Sequence, residues 1–273
     1  MGASQVVHLE RYQPEFTPSD FGLPWEELAV TTKDRISIAG WLIRHPHPTG
    51  VVILLHGRGT GKADLLDVAR ALFDQGPFHL ILIDFRGHGN SGGKILTYGQ
   101  REICDIESVL DFLSKEEAFQ RLPVGIYGIS MGGAIGILAA AKLTRIQAVV
   151  TDSAYADFPK AVARVIQKIY RIPRFPLGQM VLGMTQLRLG LALHRLDPAA
   201  AIGKISPRPV LIIHGAMDQS VPVEESTSLF QAAGEPKELW IVPGAEHVAS
   251  FYQEGPLYGK RVSRFFQDAF RAA

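Results

Sequence analysis

A single cysteine, Cys104, stands in a chain of 273 residues, so neither an internal disulfide nor a cysteine-based metal site can be built. Net charge is equally scarce. With 28 Lys and Arg against 27 Asp and Glu the balance is +1, which supplies no field to draw in nucleic acid or anionic lipid. Such a balance favours a small, weakly charged molecule as partner. Long apolar runs are missing too: the most apolar stretch, Leu177 to Leu193, is broken by Gln179, Gln186 and Arg188 and is too short and polar to span a bilayer. No apolar segment follows Met1-Gly2-Ala3-Ser4, and His8, Glu10 and Arg11 interrupt what comes next, which speaks against a secretory signal. The expectation is a soluble, cytoplasmic protein; an anchor cut away in front of Met1 would leave no trace in this stretch. Repeats and low-complexity segments are absent, and the nine histidines contain no H-E-x-x-H, so neither a metal nor a cofactor is expected. Composition sets no oligomeric state.

What the chain does have is apolar content, 47%, enough for the core of one α/β domain. Leu28, Val30 and Thr32 alternate, as do Ile36, Ile38, Gly40 and Leu42, around Lys33-Asp34-Arg35, which predicts an antiparallel hairpin. Short, uniformly apolar runs follow at Val51–Leu55, Leu80–Ile83, Val124–Ile129, Ala148–Thr151, Val210–Ile213 and Glu238–Val242, separated by helical patterns. Strands of that kind are buried on both faces, so the fold class expected is α/β, a mostly parallel central sheet flanked by helices. From Tyr155 to Pro198 no strand pattern occurs, and aromatics and arginines mix with Pro173, Pro176 and Gly178. A segment of that length reads as a helical cap over the sheet rim. The division expected is an N-terminal extension over 1–25, a core over 26–154 and 199–273, and a cap over 155–198.

Two glycine patterns imitate nucleotide sites. Gly57-Arg-Gly-Thr-Gly61-Lys62 has three residues between its outer glycines where a phosphate loop needs four, and Ala63 stands where a hydroxyl would hold magnesium. Gly87-His-Gly89-Asn-Ser-Gly92 follows a strand but leads into Lys94-Ile-Leu-Thr-Tyr98 instead of opening a helix. Neither carries a nucleotide.

Gly128-Ile129-Ser130-Met131-Gly132 is different, because a strand runs into it and a helix pattern with four alanines, Gly133 to Leu143, runs out. G-x-S-x-G is a strained strand-to-helix turn that exposes its serine, with small flanking residues so that strand and helix can pass closely. A hydroxyl needs a base to act as nucleophile, and the base needs an acid to fix its tautomer. His214-Gly-Ala-Met-Asp218 follows one strand and Pro243-Gly-Ala-Glu-His247 follows the last. Asp152, also just past a strand, competes with Asp218 for the acid. His56 and His214, each after a buried strand, read as loop-fixing residues and Asp84 as a turn cap.

Together His56-Gly57, Asp84-Phe-Arg-Gly-His-Gly89, Gly128-Ile-Ser-Met-Gly132, His214-Gly-Ala-Met-Asp218 and Glu246-His247 resemble the α/β-hydrolase superfamily over the chain from about Glu26 onward. Within it the chain is most similar to the serine-aminopeptidase-like and monoacylglycerol-lipase-like esterase branch. The resemblance implies Ser130 as nucleophile, His247 as general base, Asp218 as orienting acid, and the backbone N–H groups of Arg58 and Met131 as oxyanion hole. Arg58 departs from the HGGG pattern of other lipases, which implies that bulky tertiary-alcohol esters are poor substrates. The function expected is hydrolysis of carboxylic esters with small to medium apolar acyl chains through an acyl-enzyme. The alternatives are an aminopeptidase or acyl-peptide hydrolase using the same residues, and a non-catalytic binding protein on this fold. Residues 162–196 contain no Asp or Glu, which disfavours a pocket for a substrate ammonium.

Overall fold

The structure, a computed structural model, describes residues 15–161 and 196–272, with Arg11, Arg164 and Ala192 as isolated positions. Most of the expected cap over 155–198 therefore lies outside the described residues. Eight strands form one sheet in the order β1-β2-β4-β3-β5-β6-β7-β8. They are β1 (Trp25–Thr31), β2 (Ser37–Ile43), β3 (Gly50–Leu55), β4 (Phe78–Ile83), β5 (Val124–Ile129), β6 (Ile146–Asp152), β7 (Val210–Gly215) and β8 (Lys237–Val242). β1 and β2 are the expected antiparallel hairpin, β2 is antiparallel to β4, and every remaining pair is parallel.

The parallel strands read as continuous apolar runs because both of their faces are covered. In β3 the side chains of Val51, Ile53 and Leu55 enter one core, while Val52 and Leu54 enter the other. β7 divides likewise, Val210 and Ile212 against Leu211 and Ile213. Each such fully buried side chain stabilises the fold by about 1.5–3 kcal/mol relative to exposure. Among the described residues the α-helices with both ends defined are α1 (Leu66–Gln75), α2 (Glu102–Lys115), α3 (Met131–Ala140), α4 (Pro198–Ile202), α5 (Glu224–Ala232), α6 (Ser250–Glu254) and α7 (Pro256–Arg271). α1 and α7 pack together on one face, and α2, α3, α4 and α5 supply buried residues to the other. α7 was not anticipated as an element, although Tyr258, Val262, Phe266 and Phe270 repeat at helical spacing and are all buried.

The carboxyl ends of β3 to β8 define one rim, where the loops carrying His56, Asp84, Ser130, Asp152, Asp218 and His247 begin. At this rim the segment after β6 leaves and returns at a single place. Phe158 N donates to Leu196 O (3.4 Å) and Ala199 N to Ala156 O (3.0 Å).

Candidate active site

Ser130 occupies the turn between β5 and α3 with φ 49° and ψ −116°, a conformation that non-glycine residues adopt only when their surroundings enforce it. The enforcement is visible on both sides. A Cβ added to Gly128 would come within 2.5 Å of Gly132 O, and one added to Gly132 within 2.3 Å of Leu55 O, so the glycines permit strand, turn and helix to touch through backbone alone. Ser130 N donates to Asp152 O (2.7 Å) on the neighbouring strand, and Ser130 O accepts from Ala134 N (3.1 Å) as α3 begins.

His247 reaches Ser130 from the loop after β8. Its Nε2 lies 3.0 Å from Ser130 Oγ and its Nδ1 lies 2.6 Å from Asp218 Oδ2. Asp218 sits in the tight turn after β7 and is withdrawn from solvent. Its Oδ1 accepts from Ser220 N and Val221 N, both at 2.8 Å. Burial pushes its carboxyl up, but hydrogen bonds from His214, His247 and Val221 N outweigh that and hold it well below the usual carboxylate range. It is therefore charged at neutral pH. The imidazole between an anionic acceptor and a hydroxyl suits the tautomer with the proton on Nδ1, leaving Nε2 to accept from Ser130.

Arg58 and Met131 border the same spot. Met131 opens α3, so its N–H belongs to the helix start that no intrahelical carbonyl satisfies, with the positive end of the helix dipole behind it. The loop holding Arg58 passes close by: a Cβ on Gly57 would lie 3.7 Å from Ser130 Cβ. His56 holds that loop. Its Nδ1–H donates to Gly57 O (2.6 Å) and its Nε2 accepts from Phe85 N (3.0 Å). Burial, followed by the nearby His88, pushes its imidazole down to about 3, so it stays neutral.

Asp152 is not near the imidazole hydrogen bonds. Its carboxylate accepts from three hydroxyls, those of Ser153 (3.0 Å), Ser250 (3.1 Å) and Tyr258 (2.9 Å), and the Tyr258 hydroxyl also pairs with Tyr127 (2.8 Å). Ser153 Oγ in turn accepts from Val248 N (3.1 Å), next to His247. Ser153 and Val248 both have positive φ, 58° and 54°. Two further features were missed in the sequence. Lys62, the end of the false phosphate loop, is buried with its ammonium on Asp84 and 4.6 Å from the centroid of the Trp41 ring, and Asp84 also accepts from Lys62 N (2.8 Å) and Asn90 N (3.0 Å). Glu225 on α5 accepts from Ala156 N (2.8 Å) and pairs with Arg164 (2.6 Å). Nothing short of the folded register signals either pairing.

Beside Ser130 and His247 lies a cavity of about 150 Å³, whose described walls include Tyr98, Met131, Tyr155, Phe158 and Val221. Tyr98 and Phe158 rings are 4.3 Å apart between centroids, and Tyr155 and Phe158 rings 5.9 Å. Arg58 Nε donates to the Tyr98 hydroxyl (2.9 Å), and Glu102 anchors the loop bearing Tyr98 by accepting from Thr97 N (2.8 Å) and Gly99 N (2.7 Å).

This combination of sheet, elbow and rim has known counterparts. The chain belongs to the α/β-hydrolase superfamily. Residues 46–181 match the serine aminopeptidase S33 family, the branch its motifs resemble. It is 31% identical over 226 residues to the uncharacterized protein YqkD of Bacillus subtilis, covering 82% of this chain and 73% of that one. The uncharacterized protein YfhR of Escherichia coli K12 is 26% identical over 261 residues, 90% of this chain and 82% of that one. Among solved structures, two crystal forms of the Pyrococcus furiosus esterase Pf2001 superpose with TM-score 0.81, at 24% identity with 97% and 100% coverage and at 26% with 96% and 97%.

Proposed function

We propose that the protein is a serine esterase that cleaves carboxylic esters of small to medium apolar acyl groups through an acyl-enzyme. The observation that carries this reading is the continuous line Ser130 Oγ–His247 Nε2, His247 Nδ1–Asp218 Oδ2, at 3.0 and 2.6 Å, with the serine at a strained turn. Ser130 Oγ attacks the ester carbonyl as His247 Nε2 takes its proton, and the charged Asp218 stabilises the imidazolium that forms. The carbonyl oxygen, now an oxyanion, is held by the N–H groups of Met131 and Arg58, an arrangement worth on the order of 10²–10³ in rate per donor. The protonated His247 then returns its proton to the alcohol oxygen as the C–O bond breaks. Water, deprotonated by the same imidazole, attacks the acyl-enzyme; the intermediate collapses to the carboxylic acid and Ser130 regains its proton.

The aromatic and aliphatic cavity wall suits an apolar acyl group. A space of about 150 Å³ beside Ser130, walled by aromatic and aliphatic side chains, supports acyl groups of small to medium size. The S33 family name keeps the aminopeptidase reading open, but none of the described wall residues is acidic, and among them an ammonium would find no carboxylate. A fluorophosphonate should label Ser130 covalently, and Ser130→Ala should abolish both labelling and hydrolysis, a loss of on the order of 10⁵–10⁶ in kcat. Labelling at Ser91 or Ser153 instead would overturn the assignment. A p-nitrophenyl ester series run beside aminoacyl-anilides separates the two substrate readings: faster turnover of anilides would replace the esterase by a peptidase.

A further inference from the structure

The oxygen of Asp218 that meets His247 also meets a second imidazole. His214, at the end of β7 and fully buried, places Nε2 3.3 Å from Asp218 Oδ2 and 2.9 Å from Val221 O. A carbonyl can only accept, so Nε2 carries the proton and the neutral ring has its lone pair on Nδ1. Among the described residues that Nδ1 is buried with no hydrogen-bond partner. What sets His214 apart from a residue that only ties the loop is that the same Nε2 also lies against the carboxylate oxygen shared with His247.

Resting on the reading of Ser130, His247 and Asp218 as the catalytic set, we propose that His214 is a positioning residue that holds the shared carboxylate oxygen and, by taking a proton on Nδ1, weakens the base on the far side of it. The groups that face His214 are Asp218 in the following turn, His247 through that carboxylate, and Asp152 at the end of β6 with its partner Tyr258. Burial opposes a charge on His214, but the hydrogen bonds to Asp218 and Val221 O and the charges of Asp218 and Asp152 outweigh it and raise its pKa above the ordinary imidazole value. Once His214 is cationic, Asp218 is already neutralised from one side, and the imidazolium that must form on His247 in the transition state loses part of its stabilisation. Two ionisations on one carboxylate then titrate as a coupled pair.

The decisive measurement follows the imidazole ¹⁵N resonances of the full chain across pH, without substrate. His214 and His247 should each show two inflections, one from the other ring, and His247 in His214→Gln should show one. A single inflection for His247 in the wild-type protein overturns the proposal, whether or not the variant folds. Kinetically, the acid limb of kcat/KM should descend in one step in His214→Gln and in two steps in the wild type, the first a partial loss and the second tenfold per pH unit. His214→Gln should keep its plateau kcat within about threefold because an amide can still donate to Val221 O, whereas His214→Phe should lose about tenfold or more in kcat at unchanged KM. Equal limbs in wild type and His214→Gln, or an unchanged kcat in His214→Phe, would sink the idea. Coupled titration in a protein that hydrolyses no ester would instead remove the esterase reading and leave the His214–Asp218–His247 coupling standing.

Discussion

Asp152 closes β6 and Asp218 follows β7, one strand away, and both carboxyls are withdrawn from solvent. Their surroundings differ in kind. Asp218 is gripped by two backbone N–H groups on one oxygen and by imidazoles on the other, donors that favour the charged form. Among the described residues the Asp152 carboxylate accepts hydrogen bonds from hydroxyls, those of Ser153, Ser250 and Tyr258, and its burial outweighs them and the nearby His214 and pushes its pKa up. A tight turn that aims backbone amides at a carboxylate makes a permanent anion; a pocket of hydroxyls makes a hub. Asp152 binds Ser130 N through its backbone and Val248 N through Ser153, so it spaces Ser130 from the loop of His247 with no hydrogen bond to that imidazole.

The largest effect that would break this contrast lies in activity. Asp218→Asn should lower kcat by on the order of a thousandfold or more, because the amide stabilises the wrong tautomer, while Asp152→Asn, similar in shape, should stay within about tenfold. The reverse ranking would make Asp152 the acid. Smaller, and opposite in sign, are the effects on stability. The folded pKa of Asp218 is depressed, so its contribution is present above the unfolded value near 3.9 and is lost as pH falls below it. The folded pKa of Asp152 is raised, so its ionisation destabilises the fold as pH climbs from about 3.9 through the folded value. Urea unfolding should therefore show Asp152→Asn gaining on the wild type from pH 4 to 7, and Asp218→Asn losing ground from pH 2 to 4 upward. Like signs for both would remove the contrast. The smallest effect is Ser153→Ala, which leaves Val248 N without its acceptor and should cost about 0.5–1.5 kcal/mol with a several-fold fall in kcat. Full activity in that variant would show that the hub does not reach the histidine loop.

How much of this was legible beforehand follows from how local each signal is. Strands buried on both faces announce themselves as apolar runs, so the sheet core and the loops at its rim could be read to within two residues from Val51–Leu55, Leu80–Ile83 and Val210–Ile213. The elbow could be read because its glycines answer a contact between adjacent elements. The partners of Asp152 were not legible: Tyr258 lies 106 residues away on a helix whose packing against α1 only the fold reveals. Lys62 looked like a surface lysine of a failed phosphate loop, and its burial depends on Asp84 and Trp41 arriving from β4 and β2. In the same way two aspartates past neighbouring strands carry identical local sequence signals, and the choice between them is made by where His247 and the amides of Ser220 and Val221 come to rest.

The closely joined ends of the segment after β6 have a consequence for how much change this scaffold tolerates. Because Phe158 meets Leu196 and Ala156 meets Ala199, the core is already closed at the base of the excursion. Doubling the length of a loop closed in this way adds only about 0.6 kcal/mol of closure entropy. The excursion is thus a cassette: a longer, shorter or foreign segment can be spliced between Phe158 and Leu196 with the sheet, the elbow and the rim loops left in register. Change within the segment therefore leaves the backbone that carries Ser130, Asp218 and His247 where it is.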